Sequence, residues 1–198
     1  MDAVTAALAL RAAGPAPRIL VQGATGAVGA LAVQFALREG RMVVGTASRT
    51  DSSAIPIVDY RAEGWPAAVR AAAGGAVDAA IDHTGSVRAG EALAAEGVLV
   101  HTAWAGRPGH ERADALRGAV DALRKRRERV VSVPAFVRFA DVHYRRLLAG
   151  LLADAAEGRL RAPEPVQYPF DELWSAYRTA ARREPGRKTV LRMPGAAE

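Results

Sequence analysis

A chain of 198 residues holds one good core, or one core with an appendage, and charged residues interrupt every long apolar run, so no stretch reads as a membrane span. With no cysteine it has no disulfide framework, no thiolate zinc site and no thiol nucleophile. The formal net charge of +6 is densest at Arg124-Lys125-Arg126-Arg127-Glu128-Arg129, which closes a helical period without interleaved aromatics and so reads as a solvated helix end, not a nucleic-acid surface.

The opening residues carry Asp2 and lack the basic start and small-residue cleavage site of a secretory signal, so a cytoplasmic location is expected. A helix precedes RILVQG (18 to 23), a β-rich run, and GAVGALAVQFALREG (26 to 40) then places Val28, Leu31, Ala32, Phe35 and Ala36 at helical spacing until Gly40 stops it. MVVGTA (42 to 47) is the next strand, IPIVDY (55 to 60) a weaker third, and WPAAVRAAAGG a helix closed by Gly74 and Gly75. VDAAID (77 to 82), a helix in VRAGEALAAEG, and GVLVHTA (97 to 103) follow. After a charged helix around 111 to 128, VVSVPAFV (130 to 137) is the expected sixth strand.

Near-continuous apolar strands with intervening helices predict a parallel sheet covered on both faces. The expected class is α/β, a Rossmann-like doubly wound parallel sheet of about six strands over residues 1 to 160. Residues 161 to 198 form a tail expected to pack on the domain or on a partner: a proline-rich joint RAPEPVQYPF, a helix with Leu173, Trp174 and Tyr177 on one face, and a last strand KTVLRM.

The strand-to-helix junction Gly23-Ala24-Thr25-Gly26-Ala27-Val28-Gly29 has the form of a dinucleotide loop, with Gly26 admitting phosphate and Gly29 permitting close helix packing. Ala24 stands where the usual frame has its first glycine. At the end of the second strand Ser48 and Arg49 suit a 2′-phosphate, and Gly45 to Thr50 carries no acid before Asp51, so NADPH is the expected cofactor over NADH.

VTAALALRAAGPAPRILVQGATGAVGALAVQFALREGRMVVGTASR resembles the cofactor-domain opening of the medium-chain dehydrogenase/reductases, in the zinc-independent quinone oxidoreductase and enoyl reductase branch. VDAAIDHTGS, AAEGVLVHTA and VQYPFDELWSAYRTAARREPGRKTVLRM are similar to that family's fourth strand, fifth strand and closing helix and strand. The resemblance covers almost the whole chain. It implies reduction of a quinone, enone or enoyl thioester with NADPH, and a homodimer formed through the edge strand, for which 130 to 137 is the candidate. Two departures stand out: the family's GroES-like substrate domain has no counterpart here, and only SRTDSSA (48 to 54) links the second and third strands, where a parallel crossover normally needs a dozen residues.

Ligand groups in such sheets sit at the C-terminal ends of strands. Those ends carry Asp82, His83 and Thr84, then His101, Thr102 and Trp104. The resemblance places Thr84 near the nicotinamide, and a histidine at position 83 departs from the family's small or hydroxyl residues. His83 and His101 are the candidate catalytic acid and base, and neighbouring strands could bring them together; each also has a structural reading, as a satisfied loop residue or packed under a helix. Asp82 is expected to be a structural hydrogen-bonding group. His110 and His143 have no carboxylate cluster at metal-ligand spacing, so no metal is expected, and there is no GxSxG elbow.

Three functions are compatible with these residues: an NADPH-dependent reductase; an isomerase, dehydratase or cyclase on a redeployed scaffold; and the cofactor-binding subunit of a split reductase docked on a separate substrate-domain protein.

Overall fold

A computed structural model describes residues 1–49, 54–83, 87–104, 107, 109–182 and 187–195. Six parallel strands form one sheet in the order β3-β2-β1-β4-β5-β6: β1 (Arg18–Val21), β2 (Met42–Ala47), β3 (Ile57–Asp59), β4 (Val77–Asp82), β5 (Leu93–His101) and β6 (Glu128–Val130). The chain leaves β1 in one direction and returns at β4 in the other, which opens a crevice between the C-terminal ends of these two strands. Arg18 fastens their opposite ends, donating from its backbone amide at 3.0 Å and its Nε at 3.2 Å to Asp78.

Alternation along the strands sorts the core into two layers. Ile19, Val21, Val43, Ile81 and Val100 face α1 (Asp2–Ala13), α2 (Ala27–Arg38) and Leu151 of α6 (Asp141–Ala156). Leu20, Val44, Ala80 and Leu99 face the other way, onto Trp65 and Val69 of α3 (Trp65–Ala72). Both layers consist of residues that are nearly inaccessible to solvent, as the unbroken apolar strands predict.

Three segments differ from the sequence reading. The helix expected in 87 to 97 is a 3-10 turn, Val87–Ala92, and β5 starts already at Leu93. Leu93 pairs with Val77 and packs on the α3 layer, and the register then shifts so that Ala79 faces Val98. Strand pairing and burial override the helix propensity of an alanine-rich segment.

The sixth strand ends at Val130, and α5 (Val133–Phe139) occupies most of the segment expected to be its continuation. Ser132 caps this helix by accepting from the Ala135 amide at 3.4 Å, and Pro134 in the first turn suits a helix start and has no amide for a ladder. The edge proposed for a homodimer over 130 to 137 is therefore strand only at Val130. Helix α4 (Glu111–Leu123) also stops short of 128, and in the basic run after it Arg124, Lys125 and Arg127 pair with Asp121, Glu128 and Glu96.

In the tail, the proline-rich joint contains a strand, β7 (Glu164–Pro169), parallel to β8 (Arg187–Arg192), with α7 (Leu173–Ala181) between them in sequence. Prolines 165 and 169 are tolerated because a two-stranded sheet always leaves an open edge. Trp174 and Tyr177 are 73% and 69% exposed, so their face of α7 is not part of this chain's core. Among the described residues no helix is long and apolar enough to cross a membrane.

Candidate functional site

The loop after β1 is held from β2. The Gly23 amide donates to Thr46 Oγ1 at 3.3 Å and the Ala24 amide to the Thr46 carbonyl at 2.9 Å. The Gly26 amide then closes the turn on the Gly23 carbonyl at 2.9 Å. Gly29 packs against Gly23 and Ala24 so closely that a Cβ there would overlap backbone atoms, which makes this glycine obligatory. The alanine at position 24 is accommodated by a second glycine: a Cβ on Gly45 of β2 would lie 2.5 Å from that of Ala24.

Gly26 is the N-cap of α2, offers no side-chain cap, and no acid occupies the first turn. The first-turn amides of Ala27 and Val28 thus have no side-chain cap, and no acid in that turn offsets the helix dipole. The structure brings together Ala24, Thr25, Gly26, Ala27, Val28 and Gly29 as one cradle, with Gly26 exposed.

Ser48 and Arg49 lie exposed just past the end of β2. A second arginine, missed in the sequence reading, joins them: Arg61 Nη2 donates to the Ser48 carbonyl at 2.7 Å and to Asp59 Oδ2 at 2.7 Å. The hydrogen bonds from Arg61 pull the Asp59 carboxyl down to about 2. The signal available in the sequence was the Asp-Tyr-Arg step closing the third strand, which places a cation beside the second strand's end.

The two candidate histidines do not meet. Asp82 and His101 are register partners on adjacent strands and share the face that carries Leu99 and Ala80, whereas His83, one residue further on, points to the opposite face. His101, Asp82, Gln22 and Thr46 form a buried polar row along the C-terminal edge of the α3 layer. His101 Nε2 lies 3.0 Å from Glu128 Oε2, and its Nδ1 lies 3.6 Å from Asp82 Oδ2. Burial opposes a charge on this ring, but the close Asp82 carboxylate and the hydrogen-bonded Glu128 carboxylate hold its pKa above the ordinary value. Trp104 stacks on His101 with ring centroids 5.4 Å apart and is pressed against Gly118 of α4, where a Cβ would overlap the indole.

His83 Nε2 lies 3.3 Å from the Gly23 carbonyl oxygen. Burial pushes its pKa below the ordinary value, against the opposing pull of the Gly23 hydrogen bond and the Asp82 charge. Thr84 lies outside the described residues. His110 precedes α4, His143 is exposed on α6, and among the described residues no group of three potential ligands is placed to hold a metal.

A hollow of about 590 Å³ between α1, α2 and α6 lies at the other end of the sheet. Its Arg38 is paired with Asp154, and Arg41 with Glu39 and the Gly14 carbonyl. These cations are committed to capping and clamping helices.

No family model and no curated protein matches the chain. Solved structures do match. The CurF ER cyclopropanase from the curacin A biosynthetic pathway superposes with a TM-score of 0.75 at 22% identity, over 98% of this chain and 60% of that one. A probable oxidoreductase from Mycobacterium abscessus gives 0.71 at 27% identity, over 96% and 59%. CurA from Vibrio vulnificus, in complex with NADPH, gives 0.65 at 16% identity, over 99% and 63%. The expected likeness to enoyl reductases and quinone oxidoreductases thus holds for the fold, and the chain spans about 60% of the length of such proteins.

Proposed function

We propose that this chain is the NADPH-binding part of a reductase that reduces a quinone, an enone or an enoyl substrate. The observation that carries this reading is the uncapped, acid-free first turn of α2 after β1, together with Ser48, Arg49 and Arg61 past the ends of the neighbouring strands β2 and β3. Helix starts of this kind bind anions, and guanidinium groups pair with phosphate through parallel hydrogen bonds. In this arrangement the Ala27 and Val28 amides take the diphosphate, Gly26 lets it approach, and Ser48, Arg49 and Arg61 surround the 2′-phosphate. The fold likeness to CurA in complex with NADPH supports the same reading.

NADPH supplies the hydride when bound; the chain's residues bind and orient it. His101 has both ring nitrogens turned to carboxylates, so we assign it the task of tying the ends of β4, β5 and β6 together. The proton that completes reduction then comes from solvent or from a partner chain.

The tail favours a partner as well. Phe170, Leu173, Trp174 and Tyr177 are 46%, 42%, 73% and 69% exposed, an apolar surface suited to a substrate-domain protein that closes the cleft. A ring-forming activity on this scaffold is the alternative, supported by the fold likeness to a cyclopropanase. The deciding assay follows NADPH oxidation with quinones, enones and enoyl thioesters as acceptors, with and without candidate partner proteins. Acceptor-dependent oxidation supports the reductase; product formation without any NADPH supports the alternative.

A further inference from the structure

The loop after β1 turns about one atom, the Gly23 carbonyl oxygen. Gly23 has φ 61°, in the left-handed region, and its oxygen accepts from the Gly26 amide at 2.9 Å. The same carbonyl sits against Gly29, leaving no room for a Cβ. From across the crevice, at the end of β4, His83 reaches this oxygen with Nε2 at 3.3 Å.

Resting on the reading of this loop as a diphosphate cradle, we propose that His83 is a positioning residue for dinucleotide binding, whose Nε2–H holds the Gly23 carbonyl and so fixes the peptide that aims the first-turn amides of α2.

A carbonyl oxygen only accepts, so the proton between the two groups belongs to Nε2. Burial disfavours a charge on the ring; a neutral ring with its proton on Nε2 has a lone pair on Nδ1, and that atom is buried with no hydrogen-bond partner among the described residues. The single N–H of a neutral His83 is therefore committed to the loop. A rotation of the 23–24 peptide would give up the His83 bond and the Gly26 bond together. His83 acts on a ligand through the backbone it holds.

The test combines imidazole nitrogen NMR of the full chain with titrations of NADPH and of 2′-AMP, which carries the 2′-phosphate but no diphosphate. His83→Leu removes the donor; His83→Gln keeps an N–H donor at nearly the reach of Nε2. The expected result is a neutral Nε2–H tautomer near pH 7.5, NADPH affinity about five- to tenfold weaker in His83→Leu, recovery in His83→Gln, and 2′-AMP affinity unchanged in both. An Nδ1–H or doubly protonated ring, equal NADPH affinity in wild type and His83→Leu, or a parallel loss of both ligands overturns the role. Wild-type protein that binds 2′-AMP but not NADPH overturns it too, whereas wild type that binds neither contradicts the dinucleotide reading beneath it, and the role falls with that reading.

Discussion

His101 Nε2 stands 3.0 Å from the Glu128 carboxylate, so a buried imidazole on β5 is the electrostatic tie to the edge strand β6. Its pKa is raised above the ordinary 6.5, so its contribution to stability is fully present below that value and is lost as pH rises through the higher folded-state pKa. His83 has the opposite sign: its folded pKa is lowered below 6.5, and its contribution is present above that value and lost as pH falls. Thermal unfolding measured against pH should therefore show His101→Gln flattening the fall on the alkaline side of neutrality and His83→Gln flattening the fall on the acid side. The reverse assignment would contradict both environments.

Trp104 is locked over His101 by Gly118, whose missing Cβ leaves room for the indole. Gly118→Ala should destabilise the protein by about 1–3 kcal/mol despite the better helix propensity of alanine, because overpacking outweighs it. Denaturant melts with tryptophan fluorescence read both the loss and the displaced ring. A stabilised variant would show that Trp104 is free to move.

Ala24 and Gly45 share one methyl group's worth of space. Gly45→Ala should cost about 1–3 kcal/mol, and adding Ala24→Gly should return much of it. A double-mutant cycle measures this coupling; additive effects would mean the two positions do not touch.

Arg61→Ala should weaken NADPH binding by about tenfold and leave NADH binding nearly unchanged, since one charge-assisted hydrogen bond to a 2′-phosphate is lost. Equal losses for the two nucleotides would place Arg61 away from that phosphate.

Trp174→Ala and Tyr177→Ala should each shift stability by less than about 0.5 kcal/mol, as expected for side chains exposed on α7. A loss of several kcal/mol on isothermal unfolding would mean this face is covered in solution.

Much of the sheet was legible in sequence because its strands carry apolar residues on both faces; MVVGTA and VDAAID coincide with β2 and β4. The glycine-rich turn after β1 was legible because glycine spacing reflects close approach, as at Gly29. What was misread depended on contacts distant in sequence. Leu93 is drawn into β5 by Val77, and apolar VPAFV becomes α5 once Ser132 caps it. Periodicity over so few residues does not separate helix from strand. His83 and His101 were correctly placed at strand ends, but their separation depends on which face each side chain takes, and that is set by the register of β4 against β5. Arg61 was invisible for a related reason: its proximity to Ser48 arises only when β3 lies beside β2.

The most direct measurement is calorimetric titration of the purified chain with NADPH and NADH under identical conditions. The cradle formed by Gly26, Ala27 and Val28 with Ser48, Arg49 and Arg61 predicts saturable NADPH binding, at least about tenfold tighter than NADH, that disappears in Gly29→Ala. A folded protein that binds neither nucleotide, or both equally, contradicts it.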